Sequence, residues 1–344
     1  MQISLDTQVG EDPAWDDFVR AHPDSSHYHL SRWRGLIARE MSQQSYYLTA
    51  RSSDGAVRGV LPLVRLNSRL FGDFMVSMPY LNYGGLLASD DAAKEALLER
   101  AQQLGEESGV SHIELRNTVA EMGALPARED KVAMILDLPE SIDALGKSIG
   151  SKRRSQVRRP LREDPEIRVG GAELVDLFYA VFARNMRDLG TPVYAKSLFT
   201  AICEAFPDET KIVGITIRGE PAAAAFLIGH AGQLEIPWAS TVRDFNRISI
   251  NMLLYWEVLR YAIDAGYERF DFGRSTVDAG TYRFKKQWGA EPQQLYWHYW
   301  MRDGGDLPQL NPNNPKYRMA INLWQKLPLP VANWLGPKLV RNLP

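Results

Sequence analysis

The sequence predicts an α/β fold, of the α+β kind, in which one unit with a mixed, mostly antiparallel sheet occurs twice. The first observation is a repeat, because residues 108–118 align without a gap on residues 265–275. In each copy an amphipathic helix ends at a glycine, and a strand follows in which apolar and acidic residues alternate. The second observation is a meander of three strands over residues 211–239, before the second copy. The third is composition: 45% of the 344 residues are hydrophobic and 24% are charged, which is typical of globular proteins.

The first half of the chain alternates helices with short strands. The turn Ser53-Asp54-Gly55 separates two of these strands, and Gly109 ends the helix of the first repeat. The predicted elements are helices over 13–42, with a break near 22–26, over 90–107 and over 141–149, and strands over 46–50, 59–66, 71–78, 112–117 and 132–138.

The second half adds the meander and the second repeat. Its predicted helices span 172–187, 195–205, 249–265 and 280–287, and its strands span 211–218, 222–228, 233–239, 269–272 and 293–301. The segment 307–344 carries five basic residues and no acidic one, and it is rich in proline. We therefore predict three parts, namely a first unit over 1–145, a second unit over 146–303 that opens with a basic helix over 151–162, and a tail over 304–344.

Bulk properties exclude several classes of protein. The formal net charge is -2, so a site for an anion has to be local. The single cysteine, Cys203, excludes an internal disulfide, and no histidine has a partner at metal-ligand spacing. No signal sequence and no apolar run of membrane-spanning length is present. These features predict a cytoplasmic protein without a bound metal.

Asp271 is the first candidate for chemistry. It lies between Phe270 and Phe272, so alternation along a strand places its carboxylate on the opposite face from the two rings. It also lies at a strand end, where α/β proteins commonly bind ligands. Three interpretations stay open: a general base, a residue that orients the acceptor, or an aspartate that caps the turn over Gly273, Arg274 and Ser275.

The helix after this strand supplies cations beside aromatic rings. Tyr282 and Lys285 are three residues apart and share a helix face, as do Tyr282 and Lys286 at four residues. A lysine here can stabilise an oxyanion or bind a phosphate, and the alternative is a solvated helix face. The strand end and this helix together contain four substrate-binding candidates, namely Arg274, Ser275, Lys286 and Trp288.

Two further candidates lie upstream. Glu235 is an alternative base in the third meander strand, where Pro237 predicts a bulge or a sheet edge because proline cannot donate to the ladder. Six of the eleven residues from 152 to 162 are lysine or arginine, the densest basic run in the chain. We expect it to bind a pyrophosphate or a nucleic-acid backbone unless it is a solvated helix. Its substrate-binding candidates are Lys152, Arg153, Arg154 and Arg158.

Several motifs together carry a resemblance to a known family. They are Asn251-Met-Leu-Leu-Tyr-Trp-Glu257, Phe270-Asp-Phe-Gly-Arg-Ser275, Gly280-Thr-Tyr-Arg-Phe-Lys-Lys-Gln-Trp-Gly289, and the tail segments Leu327-Pro-Leu-Pro330 and Leu335-Gly-Pro337. In this order they resemble a tandem pair of GNAT acyltransferase units, as found in the FemAB family, and most of all the FemAB-like proteins associated with exosortase/PEP-CTERM systems.

The resemblance implies a function. FemAB enzymes transfer aminoacyl groups from aminoacyl-tRNA to peptidoglycan precursors, whereas GNAT enzymes use acyl-coenzyme A. The resemblance thus implies an acyl or aminoacyl transferase without a permanent cofactor, in which the acceptor attacks directly. It implies a bulged, splayed third meander strand that holds the donor, and a phosphate clamp in the basic run. The glycine-containing GNAT cofactor loop has no counterpart in 241–250, and the helical arm of peptidoglycan FemAB enzymes is also missing.

The acceptor implied is a lipid- or nucleotide-linked precursor of the cell envelope or an exopolysaccharide. tRNA is a further partner for the basic run. The basic, tryptophan-containing tail over 316–341 predicts either contact with the inner face of a membrane or packing onto its own unit. A different class of function is also open, in which a degenerate, non-catalytic pair of units binds a phosphorylated glycan or a partner in an export system.

Overall fold

The computed structural model describes residues 1–7, 10–69, 71–308 and 315–343. The strands are β1 (Gln2–Asp6), β2 (Gln44–Arg51), β3 (Val57–Ser68), β4 (Gly72–Val76), β5 (Leu87–Ala88), β6 (His112–Asn117), β7 (Ala127–Arg128), β8 (Lys131–Asp137), β9 (Pro165–Gly170), β10 (Thr210–Ile217), β11 (Glu220–His230), β12 (Gln233–Thr241), β13 (Arg269–Thr276), β14 (Glu291–Gln294) and β15 (Tyr296–Met301). The α-helices are α1 (Pro13–Ala21), α2 (Arg32–Leu36), α3 (Asp91–Ser108), α4 (Ile142–Ser148), α5 (Gly150–Arg158), α6 (Val175–Leu189), α7 (Lys196–Ala205), α8 (Ile250–Asp264), α9 (Gly280–Lys286), α10 (Pro315–Trp324) and α11 (Leu329–Val340).

The chain forms two units that are both discontinuous in sequence. The first comprises Met1–Val132, Gln294–Leu310 and Arg341–Pro344, and the second comprises Ala133–Gln293 and Asn311–Val340. The boundaries proposed from sequence, after 145 and after 303, cut the chain differently. The physical reason is strand pairing, because β8 joins the sheet of the second half while β15 joins the sheet of the first half.

The first unit is built on a mixed sheet with the order β1-β2-β3-β4-β6-β15-β7, and β5 pairs with β3. Helix α3 covers this sheet with an apolar stripe that includes Leu97, Ala101 and Leu104. It begins at the N-cap Asp90, whose carboxylate accepts a hydrogen bond from the Ala93 amide at 2.8 Å. The cap and the stripe together fix where this helix starts and which face it buries.

The second unit has the sheet order β14-β8-β13-β12-β11-β10-β9. The three strands β10, β11 and β12 form the predicted antiparallel meander. An aromatic cluster joins the helices to this sheet. Phe178 of α6 and Phe199 of α7 pack against Phe226 of β11, and Trp238 of β12 contacts Phe199 and Phe226. This cluster anchors β11 and β12, the strands that lead into the candidate site.

The predicted internal repeat is present in both units. Helices α3 and α8 each end close before a glycine with positive φ, Gly109 at +69° and Gly266 at +79°. That left-handed conformation carries no Cβ penalty in glycine and turns the chain back into a strand. Strand β6 then pairs parallel with β4, and β13 pairs parallel with β12. The acidic residues Glu114 and Asp271 occupy equivalent positions in these pairs.

Local differences from the predicted elements have clear causes. The strand expected over 293–301 divides at Leu295 into β14 and β15, which belong to different sheets. The strands β1 and β9 were not predicted, because both are sheet edges with many exposed positions and therefore a weak alternation. The helix expected over 31–40 is α2 followed by a π-helical turn at Ile37–Met41. The tail forms α10 and α11, and Pro337 lies inside the second of them.

A buried ion pair occupies the acidic position of the first repeat. The Arg116 Nε donates to Glu114 Oε1 at 2.8 Å, and the Tyr299 hydroxyl donates to Glu114 Oε2 at 2.8 Å. Arg116 also donates to the Leu81 carbonyl at 2.6 Å and stacks over the Trp297 ring at 4.5 Å. Both oxygens of Glu114 are therefore held, and its charge is compensated within the first unit.

We expect Arg116→Met to lower the free energy of unfolding by about 3 kcal/mol or more, because the substitution leaves the Glu114 carboxylate buried without its cation. Urea unfolding followed by tryptophan fluorescence measures the change. The matched control is Arg58→Met, which removes a pair with Asp90 that lies at the surface and should cost less than about 1 kcal/mol. Equal effects of the two substitutions would show that the buried pair does not hold this unit together.

Candidate functional site

Strand β12 contains a bulge at Ile236-Pro237. Phe226 pairs with Trp238 while Ile228 pairs with Glu235, so β12 has one residue more than β11 between these pairs. Of the two structures that Pro237 predicted, the bulge is correct and the sheet edge is wrong, since β12 lies between β11 and β13. An extra residue bends the strand and ends regular pairing at this point.

The parallel pairing of β12 with β13 ends at the same place. The register runs through Gln233, Leu234 and Glu235, and the last pair joins Glu235 to Asp271. Strand β13 continues to Thr276, so the two strands are no longer paired beyond the bulge. The last pair consists of two acidic residues, and we call the unpaired stretch of the two strands beyond it the strand gap.

Asp271 is fully buried, with 0% of its surface exposed, as are its neighbours Phe270 and Phe272 at 0% and 3%. Both faces of β13 are thus covered here, so alternation does not bring the carboxylate into solvent. Its Oδ1 accepts a hydrogen bond from the Gly273 amide at 2.7 Å. This is the contact expected of the turn-capping interpretation, and it fixes the orientation of the carboxylate.

Lys285 reaches from α9 to the strand that carries Asp271. Its ammonium donates to the carbonyls of Gly273 and Arg274, both at 2.9 Å. Burial lowers the pKa of Lys285 to about 8, while the negative charges of Asp271 and Glu235 act in the opposite direction. Three ionisable groups are therefore coupled at the strand gap: a lysine close to its titration point and two carboxylates.

The other residues predicted in this stretch have different surroundings. The Lys286 ammonium lies 5.9 Å from the centre of the Tyr282 ring and 3.7 Å from the Glu291 carboxylate, so Tyr282 contacts Lys286. Arg274 is exposed. Ser275 is buried, and its hydroxyl has no hydrogen-bond partner among the described residues.

Trp288 belongs to the core. Only 1% of its surface is exposed, and its ring contacts Tyr255 and Phe284. Burial raises the pKa of Tyr255 to about 12, so this phenol stays neutral. The predicted role of Trp288 in substrate binding stays a prediction, and its contacts in the structure support α9.

The basic run forms α5 and divides into two groups. Arg153 and Arg154 are half-buried and donate to the carbonyls of Ile149 at 3.2 Å and Gly146 at 2.7 Å, respectively. These two arginines tie α5 to the end of α4, and α5 packs against α8. Lys152 and Arg158 are exposed, as are Arg159 and Arg162 at the end of the run.

The chain between the bulge and α8 differs from a glycine-rich phosphate loop. Residues Arg243–Ile248 form a 3-10 helix, and Ser249 adopts a left-handed conformation with φ of 63° before α8 begins. Arg184 pairs with Asp244 in this turn at 2.6 Å. A ligand at this turn would meet side chains and not a glycine-rich backbone.

Sequence reasoning missed the interaction that organises the site. Lys285 was identified by its type and spacing, but its two carbonyl acceptors were not, because backbone acceptors leave no mark in a sequence. The neutralisation of Glu114 by Arg116 was missed as well, although their spacing of two residues on one strand was available as a signal. In the part of the chain that the structure describes, no group of acidic, histidine or cysteine side chains is arranged to hold a metal ion.

Comparisons with known proteins agree with this architecture. Residues 151–286 match the acetyltransferase (GNAT) domain family. The fold is similar to the crystal structure of FemX, with a TM-score of 0.66 at 15% identity over 88% of this chain and 98% of that one. It is also similar to a tandem GNAT protein from the clavulanic acid biosynthesis pathway, with a TM-score of 0.55 at 13% identity over 89% and 100% of the two chains. No curated protein matches the sequence.

A third similar structure is L-PGS from Bacillus licheniformis, with a TM-score of 0.54 at 13% identity over 92% of this chain and 98% of that one. These similarities show that the chain has a tandem GNAT fold, as the sequence predicted. No helix in the described residues is long and apolar enough to cross a membrane.

The low pKa of Lys285 predicts a pH dependence of stability. The native state releases this proton near pH 8, whereas an unfolded lysine holds it to about 10.4, so the unfolded chain binds more protons between these values. The free energy of unfolding should rise from pH 7.5 to 9 by up to about 1.4 kcal/mol per pH unit relative to Lys285→Met. Urea titrations of both proteins at each pH measure it. The control Lys286→Met, at an exposed neighbour, should keep the rise, and a parallel pH profile for Lys285→Met would contradict the assignment.

Proposed function

We propose that this protein is an acyltransferase that moves an acyl or aminoacyl group onto an amine or hydroxyl by direct attack of the acceptor. The observation that carries the proposal is the end of strand pairing at Glu235 and Asp271, next to a bulge and beside the buried Lys285. A strand gap bordered by a base and a cation is what such a transfer requires, because donor and acceptor must be held in line.

Each ionisable group then has a role. Asp271 has one oxygen bound to the Gly273 amide, so we assign it to orienting the strand and balancing the charge of Lys285. Glu235 lies next to the bulge and is the general base that takes the proton of the attacking amine or hydroxyl. The bond between the acyl carbon and the donor then breaks, and the proton passes to the leaving thiolate of coenzyme A or to the leaving ribose oxygen of tRNA. Two of the three N–H groups of Lys285 bind carbonyls, and the third is directed at the developing oxyanion.

The remaining candidates bind the substrates. The Ser275 hydroxyl, Arg274 and Lys286 contact the donor or acceptor near the gap, and Tyr282 positions Lys286 through its ring. Lys152 and Arg158, with the exposed surface of α5, bind the phosphates of the acceptor. The half-buried Arg153 and Arg154 support this helix.

The donor is a coenzyme A thioester or an aminoacyl-tRNA, and neither is permanently bound. The acceptor is a lipid- or nucleotide-linked sugar precursor of the cell envelope or of an exopolysaccharide. Such a precursor is a molecule of the kind that an export system handles. Similarity to FemX supports the tandem fold for such a reaction, and the match to the GNAT domain family supports acyl transfer as its class.

A second function is favoured by one observation, the turn at residues 243–248, which has no glycine-rich cradle for a donor phosphate. In this case the pair of units binds a phosphorylated glycan or an export-system partner without catalysis. Thermal protection by coenzyme A, acyl-coenzyme A and charged tRNA, each added alone, separates the two functions. Protection by a donor followed by transfer to an acceptor supports the enzyme, whereas ligand binding without any transfer supports the binding protein.

With the donor identified, we expect Glu235→Gln and Lys285→Met each to lower kcat by about 100-fold or more, because each removes a group that acts only in the transition state. The rate of the unaltered protein should fall as the pH rises through about 8, where Lys285 loses its proton. Single-turnover transfer assays measure both effects.

The matched control for these variants is Glu268→Gln, at an exposed carboxylate next to the start of β13. It should leave kcat unchanged. Thermal unfolding of every variant checks that the fold survives. A rate that stays within threefold of the unaltered protein in Glu235→Gln, with the fold intact, would rule out Glu235 as the base.

The double variant Lys152→Ala/Arg158→Ala should weaken binding of a nucleotide sugar such as UDP-N-acetylglucosamine by about tenfold, because two charge-assisted contacts to phosphate are lost. Calorimetric titration at two salt concentrations measures this loss of affinity. It also measures the salt dependence of the affinity, which should be smaller in the double variant than in the unaltered protein. The control Lys147→Ala/Arg168→Ala removes the same charge from exposed positions in the same unit. If both double variants bind equally well, α5 is a solvated helix and not a clamp.

A further inference from the structure

Helix α11 and the connection that precedes it pack on the second unit. The backbone of Gly336 passes so close to Val193 that a Cβ there would lie 2.7 Å from the Val193 carbonyl oxygen. Ala332, one turn earlier, is 1% exposed. The connection between α10 and α11 is also bound, since Arg187 donates to the Leu327 carbonyl at 3.2 Å. This packing fixes which face of α11 points outward, whereas on α10 the side chains from Arg318 to Leu323 are all exposed.

The outward face is unusually apolar. Five of the twelve exposed large hydrophobic side chains in the described chain lie between residues 319 and 334. On α10, Met319 and Leu323 are four residues apart and each is 62% exposed. On α11, Val331 and Trp334 are three residues apart, and Trp334 is 64% exposed. These spacings place each pair on one side of its helix.

The charge of this segment has a single sign. Five of the 40 basic residues and none of the 42 acidic residues follow Asp306, so this segment carries +5 while the rest of the chain carries -7. One of these cations, Lys338, lies 3.6 Å from the centre of the Trp334 ring. The exposed indole and the ammonium thus form a paired apolar and cationic surface on α11.

We propose that the exposed surface of α10 and the outward face of α11 bind the surface of an anionic lipid bilayer. Met319, Leu323 and Trp334 enter the headgroup layer, and the neighbouring lysines and arginines meet lipid phosphates. Lysine is depleted in protein–protein interfaces, whereas tryptophan together with lysine and arginine is typical of helices that lie in a membrane interface. The composition of this face therefore favours a bilayer over a protein partner.

The test is sedimentation of the full chain with vesicles. We expect binding to vesicles of equal parts phosphatidylcholine and phosphatidylglycerol that is at least about tenfold tighter than binding to phosphatidylcholine alone, and that weakens as sodium chloride is added. Met319→Ser/Leu323→Ser/Trp334→Ser should lose about tenfold or more of this binding. The control Leu161→Ser/Val169→Ser alters two exposed hydrophobic residues elsewhere in the same unit and should bind as the unaltered protein does.

A second pair of variants tests the charge. Lys326→Glu/Lys338→Glu should bind anionic vesicles about tenfold more weakly, and Lys147→Glu/Arg168→Glu, at exposed positions on other elements of the same unit, should not. Circular dichroism and thermal unfolding check that each variant is folded. Equal binding to both vesicle types, or unchanged binding of the triple serine variant, overturns the proposal. Self-association of the protein is a further outcome that overturns the proposal. If sedimentation velocity shows that the protein self-associates as its concentration rises, and the triple serine variant does not, the surface binds a second copy of the chain.

Discussion

Burying a carboxylate beside a parallel strand pair is the constraint that the rest of this structure depends on. In both units a long helix ends at a glycine and a strand follows that carries an acidic side chain into the interior, at Glu114 and at Asp271. A buried carboxylate is costly unless it has hydrogen bonds and a compensating charge. The two units meet this requirement with different partners.

In the first unit the partners saturate the acid. Glu114 has one oxygen bound to Arg116 and the other to the Tyr299 hydroxyl, while Arg116 is itself held by the Leu81 carbonyl. In the second unit, Asp271 Oδ1 accepts a hydrogen bond from the Gly273 amide, and the nearby cation, Lys285, binds carbonyls of the same strand. The second arrangement brings a carboxylate pair and a lysine together where the pairing of β12 with β13 ends.

The sequence predicted the architecture well because its strongest signals are periodic. The repeat, the meander and the helix before Gly266 all follow from hydrophobic spacing, and Pro237 marked the bulge because proline has no N–H to donate. The division of the strand at Leu295 was not predictable, since alternation continues through this residue and does not say which sheet each part joins. Nor was the partner of Glu114, because Tyr299 lies 185 residues away along the chain.

The identity of the cation differs between the two copies of the acidic position. In the first copy it is an arginine, and the Arg116 guanidinium binds Glu114 through its Nε. A lysine gives up its proton more readily when it is buried, and burial brings the pKa of Lys285 to about 8. Near neutral pH this ammonium is charged but close to its titration point, which suits the oxyanion-stabilising role that we propose for it. In the first copy the described partners of the acid are instead Arg116 and Tyr299.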